Sequence, residues 1–118
     1  MEIEALQEFV VDQLEDMKAK DIVTIDVRGK TSITDLMFIA TGTSSQHAHA
    51  IASKLIEEAK KADIQILSKE GERGSDWILV DLTDAVVHIM LEDAREFYQL
   101  EKLWSVDSAS EDSDSKAS

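Results

Sequence analysis

The sequence has no cysteine and no proline. Without cysteine there is no disulfide, no thiolate zinc site and no cysteine nucleophile. Without proline there is no cis-proline turn. Basic residues are also scarce: 12 lysines and arginines stand against 25 aspartates and glutamates, a formal net charge of -13. Naked nucleic acid is repelled by such a chain, because binding it normally needs a basic footprint, and anionic membranes are disfavoured for the same reason. A basic partner would be attracted and steered in; simple solubility is the competing explanation of the charge. No apolar run approaches the length of a membrane span. The segment Met1–Lys20 is acidic and amphipathic, not basic and then apolar, so no signal peptide is expected. These features fit a cytoplasmic protein with neither DNA nor membrane as partner.

What is present suffices for one domain. At 118 residues and 43% hydrophobic content the chain can bury a single core. Ile3, Leu6, Val10, Leu14 and Met17 recur at three- and four-residue spacing and predict an amphipathic helix over residues 2–20. Residues 21–28 alternate and are rich in β-branched side chains, which predicts a strand. After a turn over Gly29–Thr34, Leu36–Thr41 is apolar enough for a central strand buried on both faces. Gly42-Thr43-Ser44-Ser45 ends that strand, and Ser44 or Ser45 can cap a helix running to about Ala62. Its buried stripe is Ile51, Ala52, Leu55, Ile56 and Ala59. A short strand is expected at Ile64–Leu67, giving a right-handed βαβ unit, then a charged loop over Lys69–Asp76. A last helix is expected over 92–104, with Phe97, Leu100 and Trp104 at three- and four-residue spacing. From Ser105 onward Ser, Asp, Ala and Glu dominate, which predicts a disordered acidic tail over 105–118 behind a folded domain over 1–104. The expected class is α/β, a single-domain sandwich with a mixed sheet of about five strands and flanking helices.

Residues 77–90 are the most informative stretch. Trp77-Ile78-Leu79-Val80-Asp81-Leu82 and Ala85-Val86-Val87-His88-Ile89-Met90 read as two strands joined by Thr83-Asp84. Polar groups inside such apolar runs lose stability unless they are partnered. His88 therefore reads as a core histidine bonded to a carboxylate such as Asp81 or Asp84, or as part of a surface that meets a partner. Trp77 and Asp81 share one strand face with Leu79 between them. An aromatic, an aliphatic and a carboxylate on one face suit an interface anchor; otherwise Trp77 closes the edge of the core.

Other constellations are incomplete. Thr41–Ser45 sits where α/β proteins hold phosphate, yet it has no Walker lysine and no second glycine; a capped turn, with Gly42 permitting an unusual backbone angle, is the plainer reading. His47 and His49, two apart on a helix, point about 200° from one another, which fits solvent-facing residues better than a metal pair. Ser44 and His47 share a helix face without an orienting acid. Asp26, Asp35 and Asp81 could be imagined as a magnesium cluster, but no Asp-x-Asp pair exists. Neither a metal nor another cofactor is expected.

Three segments in register carry a resemblance: Asp35-Leu36-Met37-Phe38-Ile39-Ala40-Thr41-Gly42-Thr43-Ser44-Ser45, the hairpin Trp77 to His88, and Arg95-Glu96-Phe97-Tyr98-Gln99-Leu100-Glu101-Lys102-Leu103-Trp104. In this order and spacing the chain, over about residues 3–105, resembles the ribosomal silencing factor (Iojap-related) family. The resemblance implies a nucleotidyltransferase-like fold without known enzymatic activity. It implies binding to the large ribosomal subunit through its basic protein L-fourteen, so that joining of the small subunit is obstructed and translation is repressed, notably when nutrients run short. Organelle relatives act in ribosome assembly, and a homodimer is implied for the free protein. Carried over by position, the partner-binding residues are Trp77, Leu79, Asp81, Leu82, Asp84 and His88, with Arg95, Tyr98 and Trp104 of the last helix supporting the sheet or bordering the interface. Two departures stand out. Thr83 replaces the family's usual turn glycine, and Gln46 and His47 stand where an arginine often follows the glycine-serine turn. An acidic adaptor for some other basic protein, or a nucleotidyl-transfer enzyme, are the alternatives.

Overall fold

The computed structural model describes residues 2–30, 32, 34–71 and 74–99. Along them run α1 (Ile3–Asp16), β1 (Lys20–Asp26), β2 (Leu36–Gly42), α2 (Ser45–Lys61), β3 (Ser68–Glu70), β4 (Trp77–Asp81), β5 (Ala85–Leu91) and α3 (Glu92–Tyr98). The strands form one mixed five-stranded sheet in the order β1-β2-β5-β4-β3. Only the β2–β5 pair is parallel. The class expected from sequence is the one observed.

One face of the sheet is covered by α1 and α2. Leu6, Val10 and Leu14 of α1 and Ala48, Ile51, Ala52, Leu55 and Ala59 of α2 are buried. They pack on Leu36, Phe38, Ala40, Ile78, Val80, Val87 and Ile89, one alternate set from each central strand. Each large side chain sealed there stabilises the fold by about 1.5–3 kcal/mol. As its apolar sequence predicts, β2 is buried at every position. Ser44 caps α2, its hydroxyl accepting from the His47 backbone N–H at 3.1 Å.

Four expectations are corrected. Residues 64–67 are not a strand: Ile64 and Ile66 turn toward the helix-side core, and Leu67 is 61% exposed. Leu67 donates to Asp81 C=O (2.7 Å), but the ladder to β4 starts only at Ser68. β3 thus begins one residue past the expected strand and runs into the expected loop; it runs parallel to β2, but β5 and β4 lie between them. Gly42 has no positive φ. It is needed for space, because a Cβ there would lie 3.0 Å from the Ala48 backbone and side chain. Finally, α3 stops at Tyr98, with Gln99 in the left-handed region as its C-cap. Ala94 is its buried residue and Phe97 is 80% exposed. Leu100–Trp104 and the tail over 105–118 lie outside the described residues.

Candidate functional site

The opposite face of the sheet has far less cover. Among the described residues only α3 packs there, where Ala94 joins Val27, Met37, Ile39 and Met90 in a second, smaller cluster. Strand register sets out the rest. One row across the sheet is Ile25, Met37, Val86, Asp81 and Ser68; the next is Val23, Ile39, His88, Leu79 and Glu70. Beyond them Met90 lies opposite Trp77. Val23, Ile25, Leu79 and Val86 are half-buried, whereas Met37, Ile39, His88 and Met90 are buried, so the face is apolar and only partly exposed, chiefly along β1 and β4 and at Val86. Asp81 and Glu70 place two carboxylates at its β4–β3 side.

Trp77 organises one end of the face. Its indole Nε1–H donates to His88 Nδ1 at 3.0 Å, a diagonal contact between β4 and β5. Tyr98 of α3 also packs against the indole, with ring centres 4.6 Å apart, and Phe97 meets Tyr98 edge-on at 4.9 Å. Gly71 brings the chain back beside Trp77. Its φ of +105° excludes side chains, and a Cβ there would come within 2.7 Å of the Trp77 carbonyl. The expectation that His88 bonds a carboxylate is corrected: its partner is the indole. Because Nδ1 accepts, the ring is neutral, and burial pushes its pKa down to about 4.

The other candidates are spread unevenly. Leu79 and Asp81 stand on the open face beside Trp77 and His88. Asp81 Oδ1 also accepts the Thr83 N–H at 2.9 Å, so this carboxylate braces the hairpin tip. Leu82 does not belong to the face: it is 2% exposed, within the helix-side core. Asp84 is exposed at the tip, where its carbonyl accepts from the N–H groups of Asp35 and Leu36. Arg95 reaches from α3 to the Thr41 hydroxyl (2.8 Å), fastening the helix to the end of β2. Sequence reasoning missed Val23, Ile25, Met37, Ile39 and Val86 as members of the face. Alternation along β1 and β5 was the signal available; in the unbroken apolar run of β2 there was none.

The other chemical constellations come apart. The hydroxyl of Ser44 is occupied by helix capping, not by an imidazole. His47 is not solvent-facing: Nδ1 accepts from the Thr43 N–H (3.0 Å) and Nε2 donates to the Met17 carbonyl (2.7 Å), so the ring ties the end of α1 to the start of α2. Asp26 stands opposite Leu36, on the helix side of the sheet, whereas Asp81 is on the open side. Asp26 is engaged by Arg28, whose hydrogen bonds hold the carboxyl down to about 2. Among the described residues no three His, Asp or Glu side chains converge into a set able to hold a metal. No described helix is long and apolar enough to cross a membrane.

Fold and face define a small one-sheet α/β protein whose distinctive surface, among the described residues, is a sheet face covered only in part by α3, not a cleft of converging polar groups. Comparison with known proteins gives the particular family. The model of the family described as "Ribosomal silencing factor during starvation" matches residues 1–118. The chain is 56% identical over 101 residues to the ribosomal silencing factor of Haemophilus influenzae, covering 86% of this chain and 99% of that one. With the silencing factor of Chromobacterium violaceum it shares 38% identity over 104 residues, covering 88% and 85% respectively. A crystal structure of a Chromobacterium violaceum protein superimposes with a TM-score of 0.86 at 38% identity, over 89% of this chain and 88% of that one. One from Bacillus halodurans gives a TM-score of 0.78 at 36% identity, over 86% and 94%. The chain belongs to the ribosomal silencing factor family, with the ribosome-associated role in silencing translation that this membership carries.

Proposed function

We propose that this chain silences translation by docking its open sheet face on the large ribosomal subunit through the basic protein L-fourteen, obstructing the small subunit. The observation that carries the proposal is the face itself, apolar at the centre, anchored by Trp77 and bordered by Asp81 and Glu70. A basic protein surface complements the carboxylates and the charge of -13, whereas ribosomal RNA does not. Steric exclusion needs affinity and bulk, and the described residues bring together neither a catalytic set nor a metal set. In this reading the chain is not an enzyme, and the free protein is a homodimer.

A subunit-joining assay with purified subunits tests partner and mechanism together. The protein is expected to co-sediment with large subunits and to lower the yield of joined ribosomes; free joining in its presence would refute the proposal. Trp77→Ala and Asp81→Lys are each expected to weaken large-subunit binding by about 2 kcal/mol or more, with the circular-dichroism spectrum unchanged. Wild-type binding by both variants would remove this face from the interface.

A further inference from the structure

We infer that His88 presents a single fixed hydrogen-bond donor at the centre of the docking face, so that the partner must place an acceptor oxygen there. The inference rests on the docking reading above and specifies the chemistry of the partner's contact. An indole nitrogen can only donate. The 3.0 Å contact from Trp77 Nε1 to His88 Nδ1 therefore makes Nδ1 the acceptor and leaves the proton of the neutral ring on Nε2. Tyr98 packs against the same indole and helps hold it in position.

The second nitrogen has no partner among the described residues. Nor is it sealed from solvent, since the one described side-chain polar atom both buried and unpartnered is His49 Nδ1. His88 is 7% exposed and shares its row with Leu79 and Ile39. The Nε2–H group therefore reaches the surface between aliphatic side chains. Burial pushes the pKa of the ring down to about 4, which keeps it neutral at physiological pH.

In the free protein water satisfies this donor. A docked surface expels that water and must replace it, since a buried donor without an acceptor is penalised. A partner with a carbonyl or carboxylate oxygen at that point is accepted. One with a methyl group or an ammonium there is rejected, and this discriminates among basic proteins in a way that charge cannot.

Two measurements test the inference. Nitrogen-15 NMR of the free protein at neutral pH is expected to show the Nε2–H tautomer of His88; the Nδ1–H tautomer would overturn it without touching the docking reading. Large-subunit binding is then compared for His88→Phe, His88→Asn and His88→Gln, each checked for folding by tryptophan fluorescence. Phe removes the donor. Asn keeps an acceptor near Nδ1 but does not reach the surface, and Gln restores an N–H near the position of Nε2. Phe and Asn are expected to lose tenfold or more in affinity, and Gln to stay within a few-fold of wild type. Wild-type affinity in His88→Phe, beside a failing Asp81→Lys, would overturn the role of His88 alone. Absence of binding by the wild-type protein would overturn the docking reading and this role together.

Discussion

Thr83 holds the least comfortable backbone in the hairpin. Its φ is 75°, and the Asp84 N–H donates back to the Leu82 carbonyl at 2.9 Å, which makes a γ-turn of the positive-φ form. A β-branched residue there carries strain of about 1–2 kcal/mol, and the Asp81 Oδ1 contact with its N–H helps hold the turn. Thr83→Gly is expected to raise stability by about 1 kcal/mol, read as a higher urea midpoint at constant slope. His88 adds a pH dependence. Its pKa is lowered from 6.5 to about 4 in the folded state, so between those values the unfolded chain binds a proton that the folded chain does not. Stability is complete above about pH 6.5 and declines as pH falls through that window, by roughly 3 kcal/mol in all. Urea unfolding at pH 7.5 and 4.5 should show a smaller loss in His88→Phe than in wild type. The shared face of Trp77 and Asp81 was readable from alternation. The partner of His88 was not, because only strand register shows that Trp77 lies diagonally across from it.

The joint between β2 and α2 depends on the absence of a side chain at Gly42. A methyl group there would meet Ala48 at 3.0 Å, so Gly42→Ala is expected to destabilise the protein by about 1–3 kcal/mol, as overpacking does. A thermal melt of that variant checks it. The same joint is braced from α1 through His47, whose ring joins the Met17 carbonyl to the Thr43 N–H. Helices α1 and α2 and strands β1, β2, β4 and β5 were all readable, since period and length agree in each. β3 was misplaced because Ser68-Lys69-Glu70 carries no apolar signal; its backbone pairing with β4 makes it a strand. The spacing of Phe97 fits an apolar stripe, but α3 meets the sheet through Ala94, Phe97 is exposed, and the aromatic neighbour that packs on Trp77 is Tyr98.

For the whole molecule, charge and face act on different quantities. A net charge of -13 sets a long-range field, which acts on the rate of encounter with a basic partner and is screened by salt. Raising ionic strength from ~0.01 M to ~0.15 M shortens the Debye length from ~30 Å to ~8 Å. At constant magnesium the association rate with large subunits should fall steeply across this range while dissociation changes little; stopped-flow measurement would show it. Composition made the field readable, but not the face, because the unequal cover of the two sheet faces among the described residues follows from how α1, α2 and α3 are placed in three dimensions.

The parallel pairing of β2 with β5 has a further consequence. Met37 and Ile39 meet Val86 and His88 only across this pair, and α2, β3 and β4 all lie between the two strands in sequence. Closing so long a loop is the slow step in forming a sheet of this kind. The central rows of the face exist only once that closure is complete, and the Asp84 carbonyl, taking N–H groups from Asp35 and Leu36, fastens its end. The β4–β5 hairpin can pair locally, but Met37 and Ile39 join Val86 and His88 only after that closure, so the full face belongs to the folded state.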